Sequence, residues 1–403
     1  MFFLEFSILE DRALAVRDDL QNGGHNFTKT LDQILEKKVT DNEIVGAIFL
    51  VLHGNTLIYQ KSLGSQNLEA QIPMALDSTF RLSSLSKLIT SLAAGVLISQ
   101  GELSYTDPVL KYLPYFTPQN PEGTQTPILI RHLLNHTAGL SYKFNEPVGG
   151  EYFQAGIEDG VEKSQVTLTQ NLENLATLKL FSRPGTQWNY SLATDVLGAV
   201  IAEVTQKSLP EAIELLLGKP LGLTQTRFYP PDPQTLAIPY RLTKTGPRPL
   251  NDPEDYYYNK NYLLSFSPSR AYDPHAWPSG GVGMLGNGPD FVKILRLVLQ
   301  NGQNLIQPQV MDLLTHNQIG TLATDSPGIK FSAATGIISE PKLTRFPMVS
   351  PGTLFWGGIY GHAFTIDLER NIACVLLTNM TLTGLSGDTF PSLLREIYAA
   401  PNL

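Results

Sequence analysis

The sequence predicts an α+β protein, in which an antiparallel sheet drawn from both ends of the chain is flanked by helices and a mainly helical domain is inserted between the two halves. Three observations predict it. Strand-length apolar runs lie near both termini, at 45–64 and 352–380. Between 84 and 217 the patterns are helical, broken by Pro and Gly loops, with few strand signals. A last helical pattern at 388–400 closes the chain. The implied division is a discontinuous sheet domain, 1–78 with 276–403, and a helical domain, 79–275. The cleft between them is the expected ligand site.

In chain order, 26–39 has a helical period with Leu31, Ile34 and Leu35 on one face. The runs 45–54 and 55–64 read as two strands joined at His53-Gly54-Asn55, a hairpin signal. Helical patterns follow at 84–100, 128–137, 168–180, 192–206 and 209–217. The stretch 225–278, rich in Pro, Tyr and Asp, reads as loops over the cleft. The segment 279-SGGVGMLGNGPDF-291 neither follows a strand nor opens a dinucleotide unit, so it reads as a glycine-rich turn before a helix. Three antiparallel strands are expected at 352–361, 362–371 and 372–380.

The bulk numbers exclude some functions. The chain has 403 residues, of which 16% are charged, with a net charge of −8. A nucleic-acid binder needs clustered Lys and Arg, and this balance argues against one. The single cysteine, Cys374, allows no intrachain disulfide and sits in an apolar run that reads as a buried strand. The N-terminal MFFLEFSILEDRALAV lacks a basic region and a cleavage site, and no stretch reaches transmembrane length. The expectation is a cytoplasmic protein without membrane or nucleic-acid partners, its oligomeric state open.

The segment 81-RLSSLSKLITSLAAGVLISQ-100 carries the chemistry. Leu85, Leu88, Ile89, Leu92 and Val96 form one helical stripe, while Ser84, Lys87 and Ser91 share another. If that second face is also buried, the Lys87 ammonium cannot reach bulk water. A serine hydroxyl is a weak nucleophile until a base takes its proton. A desolvated lysine can serve as that base, or can hold another base deprotonated. Ser-x-x-Lys is the nucleophile motif of β-lactamases and penicillin-binding proteins. The second match, Ser339 to Lys342, has Pro341 inside it and no helix after it, so it is set aside.

Three ordered segments resemble those of class C β-lactamase-like serine hydrolases: 80-FRLSSLSKLIT-90, 128-ILIRHLLNHTAGLSY-142 and 184-PGTQWNYSLATDVLG-198. The resemblance implies a β-lactamase/transpeptidase-like fold and makes Tyr190 the phenolic base beside Lys87. The β-lactamases carry Tyr-x-Asn here; this chain has Tyr190-Ser191-Leu192 and lacks the amide. Their Lys-Thr-Gly strand corresponds to Trp356-Gly357-Gly358, without the lysine that would recognise a substrate carboxylate. Both departures resemble family VIII carboxylesterases, with the lovastatin-type acyltransferase a relative of the same kind. By the same resemblance the backbone N–H groups of Ser84 and Ile359 form an oxyanion hole, and Trp356, Gly357 and Gly358 line the substrate. Glycines there let a substrate lie close against the strand.

Other signals are weighed against this one. His132 and His136 are four apart but no third ligand is evident, so they read as packing and capping residues. His362 could line the cleft or sit at a strand turn. Asp195 and Asp367 suggest a Ser-His-Asp triad, but the chain has no Gly-x-Ser-x-Gly elbow, and Asp195 reads instead as a first-turn residue that suits the helix dipole. The expectation is a serine hydrolase cleaving small neutral esters through an acyl-enzyme on Ser84, with no cofactor or metal. The alternatives are a β-lactamase or D-amino-acid peptidase, an acyltransferase, and a non-catalytic sensor of the penicillin-binding type.

Overall fold

The run 45–54 is apolar at every second position and in between, and the computed structural model, which describes residues 27–400 and 403, shows both faces of that strand covered. The reading of the N-terminal stretch as free of a signal peptide lies outside the described residues. An eight-stranded antiparallel sheet is built from β1 (Gly46–His53), β2 (Thr56–Asn67), β3 (Ile72–Pro73), β4 (Ile329–Phe331), β5 (Gly336–Ile338), β6 (Thr353–Gly358), β7 (His362–Asp367) and β8 (Ile372–Thr378). The order across the sheet is β4-β5-β6-β7-β8-β1-β2-β3, so β8 from the end of the chain pairs with β1 from its start.

Period-two alternation sorts the strand side chains between two cores. Ile48, Leu50 and Leu52 of β1 and Ala373, Val375 and Leu377 of β8 face one way, against Phe291, Ile294 and Leu295. Those three belong to α4 (Gly288–Leu299), which follows the glycine-rich turn. Ala47, Phe49 and Val51 with Ile372, Cys374 and Leu376 face the other way. There they meet Leu31 and Leu35 of α1 (Phe27–Thr40) and Leu393, Leu394 and Ile397 of α5 (Thr389–Ala399). Cys374 is fully buried in this second core, as expected for a packing residue.

The first core continues without a break into the helices of the middle of the chain, α2 (Ser86–Gln100) and α3 (Ala193–Thr205). Every residue of α2 from Ser86 to Leu97 is buried. No helix among the described residues is long and apolar enough to cross a membrane.

The reading of 225–278 as loops is corrected. It holds two hairpins, Tyr240–Thr243 with Gly246–Pro249 and Glu254–Asn259 with Tyr262–Phe266. Two-stranded ribbons tolerate proline on their free edges, which is how Pro247 and Pro249 stand in a strand, and the Tyr256-Tyr257-Tyr258 run has strong strand propensity.

Candidate active site

The chain enters α2 through a tight turn. Phe80–Arg81 pairs antiparallel with Leu285–Gly286, the Leu82 N–H donates to the Met284 carbonyl at 2.9 Å, and the Met284 N–H donates to Ser86 Oγ at 3.1 Å. Ser83 takes a positive φ of 46°, and a 3₁₀ turn over Ser83–Leu85 leads into the helix. Ser84 sits in that turn, 6% exposed. The end of β6 presses directly against it. A Cβ on Gly358 would stand 2.3 Å from Ser83 Oγ and 2.7 Å from the Leu82 carbonyl oxygen, so only glycine allows this approach.

Lys87 follows one turn later, 2% exposed, because both faces of α2 are buried. Its ammonium donates to the Gly281 carbonyl at 2.9 Å and to Ser84 Oγ at 3.4 Å. It also stands 4.6 Å from the ring centre of Tyr190 and 5.3 Å from that of Tyr142. Two aromatic faces and one carbonyl thus take the place of water around the charge.

Tyr190 Oη lies 2.7 Å from Ser84 Oγ, hydrogen-bonded to it. The Trp356 indole N–H points at the same phenol oxygen from 3.3 Å, with the two ring centres 5.2 Å apart. The loop carrying Tyr190 is bolted to the 136–141 segment. The Asn189 N–H donates to the His136 carbonyl, the Asn189 amide donates to the Leu140 carbonyl, and the Ser191 N–H donates to His136 Nδ1 at 3.3 Å. The His136 ring packs 4.9 Å from that of Tyr190. Burial, with the nearby Lys87 charge, holds His136 well below the usual imidazole range, so it is neutral. This is why the second motif segment accompanies the third: it is the seat of the tyrosine loop. His132 caps its own short helix, its Nδ1 accepting the Leu129 N–H at 3.1 Å.

The structure therefore brings Ser84, Lys87, Tyr190 and Trp356 together. Gly357 and Gly358 lie on the strand beside them, and Ile359 begins the turn after β6, its carbonyl accepting the Leu382 N–H at 2.9 Å. His362 does not join them, which corrects the reading of it as a cleft residue. It pairs with Gly358 across the sheet, is 1% exposed, and spends both ring nitrogens on backbone. Nε2–H donates to the Arg81 carbonyl at 2.8 Å and Nδ1 accepts the Thr378 N–H at 3.3 Å. Burial lowers its pKa to about 4. It supports the Arg81 side of the turn and presents nothing to a ligand.

Asp195 is in the first turn of α3, as expected, and is fully buried. Its Oδ1 accepts the Ser279 hydroxyl at 2.5 Å and the Gly281 N–H at 3.1 Å. The available signal was a carboxylate inside an otherwise apolar helical run, 192-LATDVLGAVIA-202.

A buried hydroxyl within hydrogen-bonding distance of a phenol and a lysine, on a turn at the head of a helix beside an antiparallel strand, is the arrangement that a Ser-x-x-Lys serine hydrolase requires. The chain belongs to the β-lactamase family: the Beta-lactamase family profile matches residues 31–390. It is 34% identical over 372 residues to esterase EstB of Burkholderia gladioli, covering 92% of this chain and 94% of that one. It is 30% identical over 396 residues to the lovastatin esterase of Penicillium rubens, covering 90% and 95% of the two chains. Among solved structures, EstCE1, described as a hydrolase with promiscuous acyltransferase activity, superposes with a TM-score of 0.88 at 35% identity over 97% of this chain and 100% of that one.

Proposed function

We propose that the protein is a serine hydrolase that cleaves small neutral carboxylic esters through an acyl-enzyme on Ser84. The observation that carries the reading is the contact of Ser84 Oγ with Tyr190 Oη at 2.7 Å, with the buried Lys87 ammonium 3.4 Å from the same oxygen. Ser84 Oγ attacks the ester carbonyl carbon. Tyr190 takes the hydroxyl proton, and Lys87 offsets the negative charge that the phenol oxygen carries as a base. As the C–O bond breaks, Tyr190 returns the proton to the leaving alcohol. Water, activated by the same oxygen, then cleaves the acyl-serine.

Backbone N–H groups of Ser84 and Ile359 are the proposed oxyanion hole, each such donor contributing ~3 kcal/mol to the transition state. The contact of Gly358 with Ser83 supports this, because it brings the two backbones side by side. Trp356 and Gly357 are proposed to line the substrate. With Trp356 where β-lactamases carry a lysine, no cation on that strand awaits a carboxylate, which favours neutral esters of the kind cleaved by family VIII carboxylesterases. The names of the two related esterases agree with this class. EstCE1's described acyltransferase activity supports a second outcome, in which an alcohol replaces water in the last step. The division into 1–78 with 276–403 and 79–275 is proposed on the strand and helix patterns of the sequence, and a cytoplasmic protein without nucleic-acid or membrane partners on its net charge of −8 and its lack of a transmembrane-length stretch.

The test is turnover of p-nitrophenyl butyrate by Ser84→Ala. The expected result is no turnover above background with an unchanged Tm; turnover equal to wild type would refute the assignment.

A further inference from the structure

Asp195 and Tyr142 each bury one polar atom, Oδ2 and Oη, that has no hydrogen-bond partner among the described residues. Both atoms lie against the α-carbon of Gly281: a Cβ there would stand 2.7 Å from Asp195 Oδ2 and 3.2 Å from Tyr142 Oη. The other Asp195 oxygen holds the Gly281 N–H at 3.1 Å and the Ser279 hydroxyl. The carbonyl of the same glycine takes the Lys87 ammonium at 2.9 Å, and the Tyr142 ring stands 5.3 Å from that ammonium. Carboxylate, glycine and ammonium therefore form one continuous wall beneath Ser84. The β-lactamase amide two residues past the tyrosine is replaced here by Leu192, which offers no polar group.

We propose that Asp195 is a positioning residue for Lys87, clamping Gly281 so that its carbonyl aims at the ammonium and supplying the nearby negative charge that balances it. Burial pushes the Asp195 carboxyl above its ordinary range, and the Lys87 charge is the largest influence drawing it back down. A buried cation left without nearby negative charge is strongly disfavoured. A carboxylate acting through one glycine restores that balance without touching the substrate. The inference rests on the hydrolase reading of Ser84.

Asp195→Asn keeps the shape and an acceptor for Ser279 and Gly281 while removing the charge; Asp195→Ala removes the clamp as well. The measurements are kcat and KM for p-nitrophenyl butyrate, the rate at which a fluorophosphonate labels Ser84 by intact mass, and Tm. In both variants kcat and the labelling rate are expected to fall at least about tenfold with KM within about twofold, the alanine variant falling further. If Asp195→Ala does not fold, Gly281→Ala takes its place. It leaves every charge intact but puts a methyl between Asp195 and Tyr142, and the same loss of kcat is expected. Native kcat and labelling rate in Asp195→Asn would overturn the proposal while leaving the hydrolase reading standing. A lowered Tm with native kcat would also overturn it, reducing Asp195 to a fold-stabilising group. A wild-type protein whose Ser84 takes no label would remove the hydrolase reading itself, and this proposal with it.

Discussion

At the scale of single residues, Lys87 is the least expected group in the molecule. An ammonium withdrawn from water loses several kcal/mol of solvation, and a lone backbone carbonyl does not restore it. The rings of Tyr190 and Tyr142 add cation–π attraction, on the order of 2 kcal/mol each when water is excluded. The arrangement is costly to fold, and in the proposed mechanism its purpose is to offset the negative charge that develops on the oxygen facing Ser84 as it takes the proton. Tyr190→Phe tests that purpose. The ring keeps its packing against His136 and Trp356, so the fold should survive. Loss of the 2.7 Å contact should lower kcat by roughly a hundredfold or more, with a much smaller change in KM. An unchanged kcat in steady-state assays would assign the proton transfer to another group.

At the scale of elements, the site depends on how closely β6 meets the turn before α2. Gly358→Ala forces a methyl into the space held by Ser83 Oγ and the Leu82 carbonyl, so the strand and the nucleophile turn must separate. The expected outcome is a kcat lowered by ~10-fold or more, with a Tm decrease of a few degrees. Native kinetics would mean that the strand plays no part in the chemistry. This contact also marks what the sequence made legible. The Ser84–Lys87 spacing, the apolar stripe beside it and the order of three motifs were readable, because each is local. The fate of His362 was not, since it depends on the pairing with Gly358 that turns the imidazole towards Arg81 and Thr378. Asp195 was visible as a helix residue, but its partners Ser279 and Gly281 are more than eighty residues away. The short edge strands β4 and β5 span three residues each, too few for any period to register.

At the scale of the whole molecule, three imidazoles among the described residues are buried in the neutral form. Burial lowers His132 and His362 to about 4 and holds His136 well below the usual range. A folded-state pKa below the unfolded value means that the unfolded chain binds more protons as pH falls. The stability such a group contributes is present above pH ~6.5 and is lost as pH drops towards 4. For His362 the full loss is on the order of 3 kcal/mol. Asp159, raised by burial and by the neighbouring Glu162 charge, acts with the opposite sign, so the wild-type slope is a sum. Urea unfolding of wild type and His362→Gln at pH 7.5 and 4.5 isolates the imidazole. The gap between the two proteins should narrow in acid, and parallel values at both pH values would contradict the burial argument. The central claim is that one hydroxyl in this chain, on the turn before α2, is made nucleophilic by its phenol and ammonium neighbours. The most direct measurement is intact-mass spectrometry after treatment with a fluorophosphonate, followed by peptide mapping. The account predicts a single adduct on Ser84, absent from Ser84→Ala. An adduct on any other residue, or none at all, would contradict it.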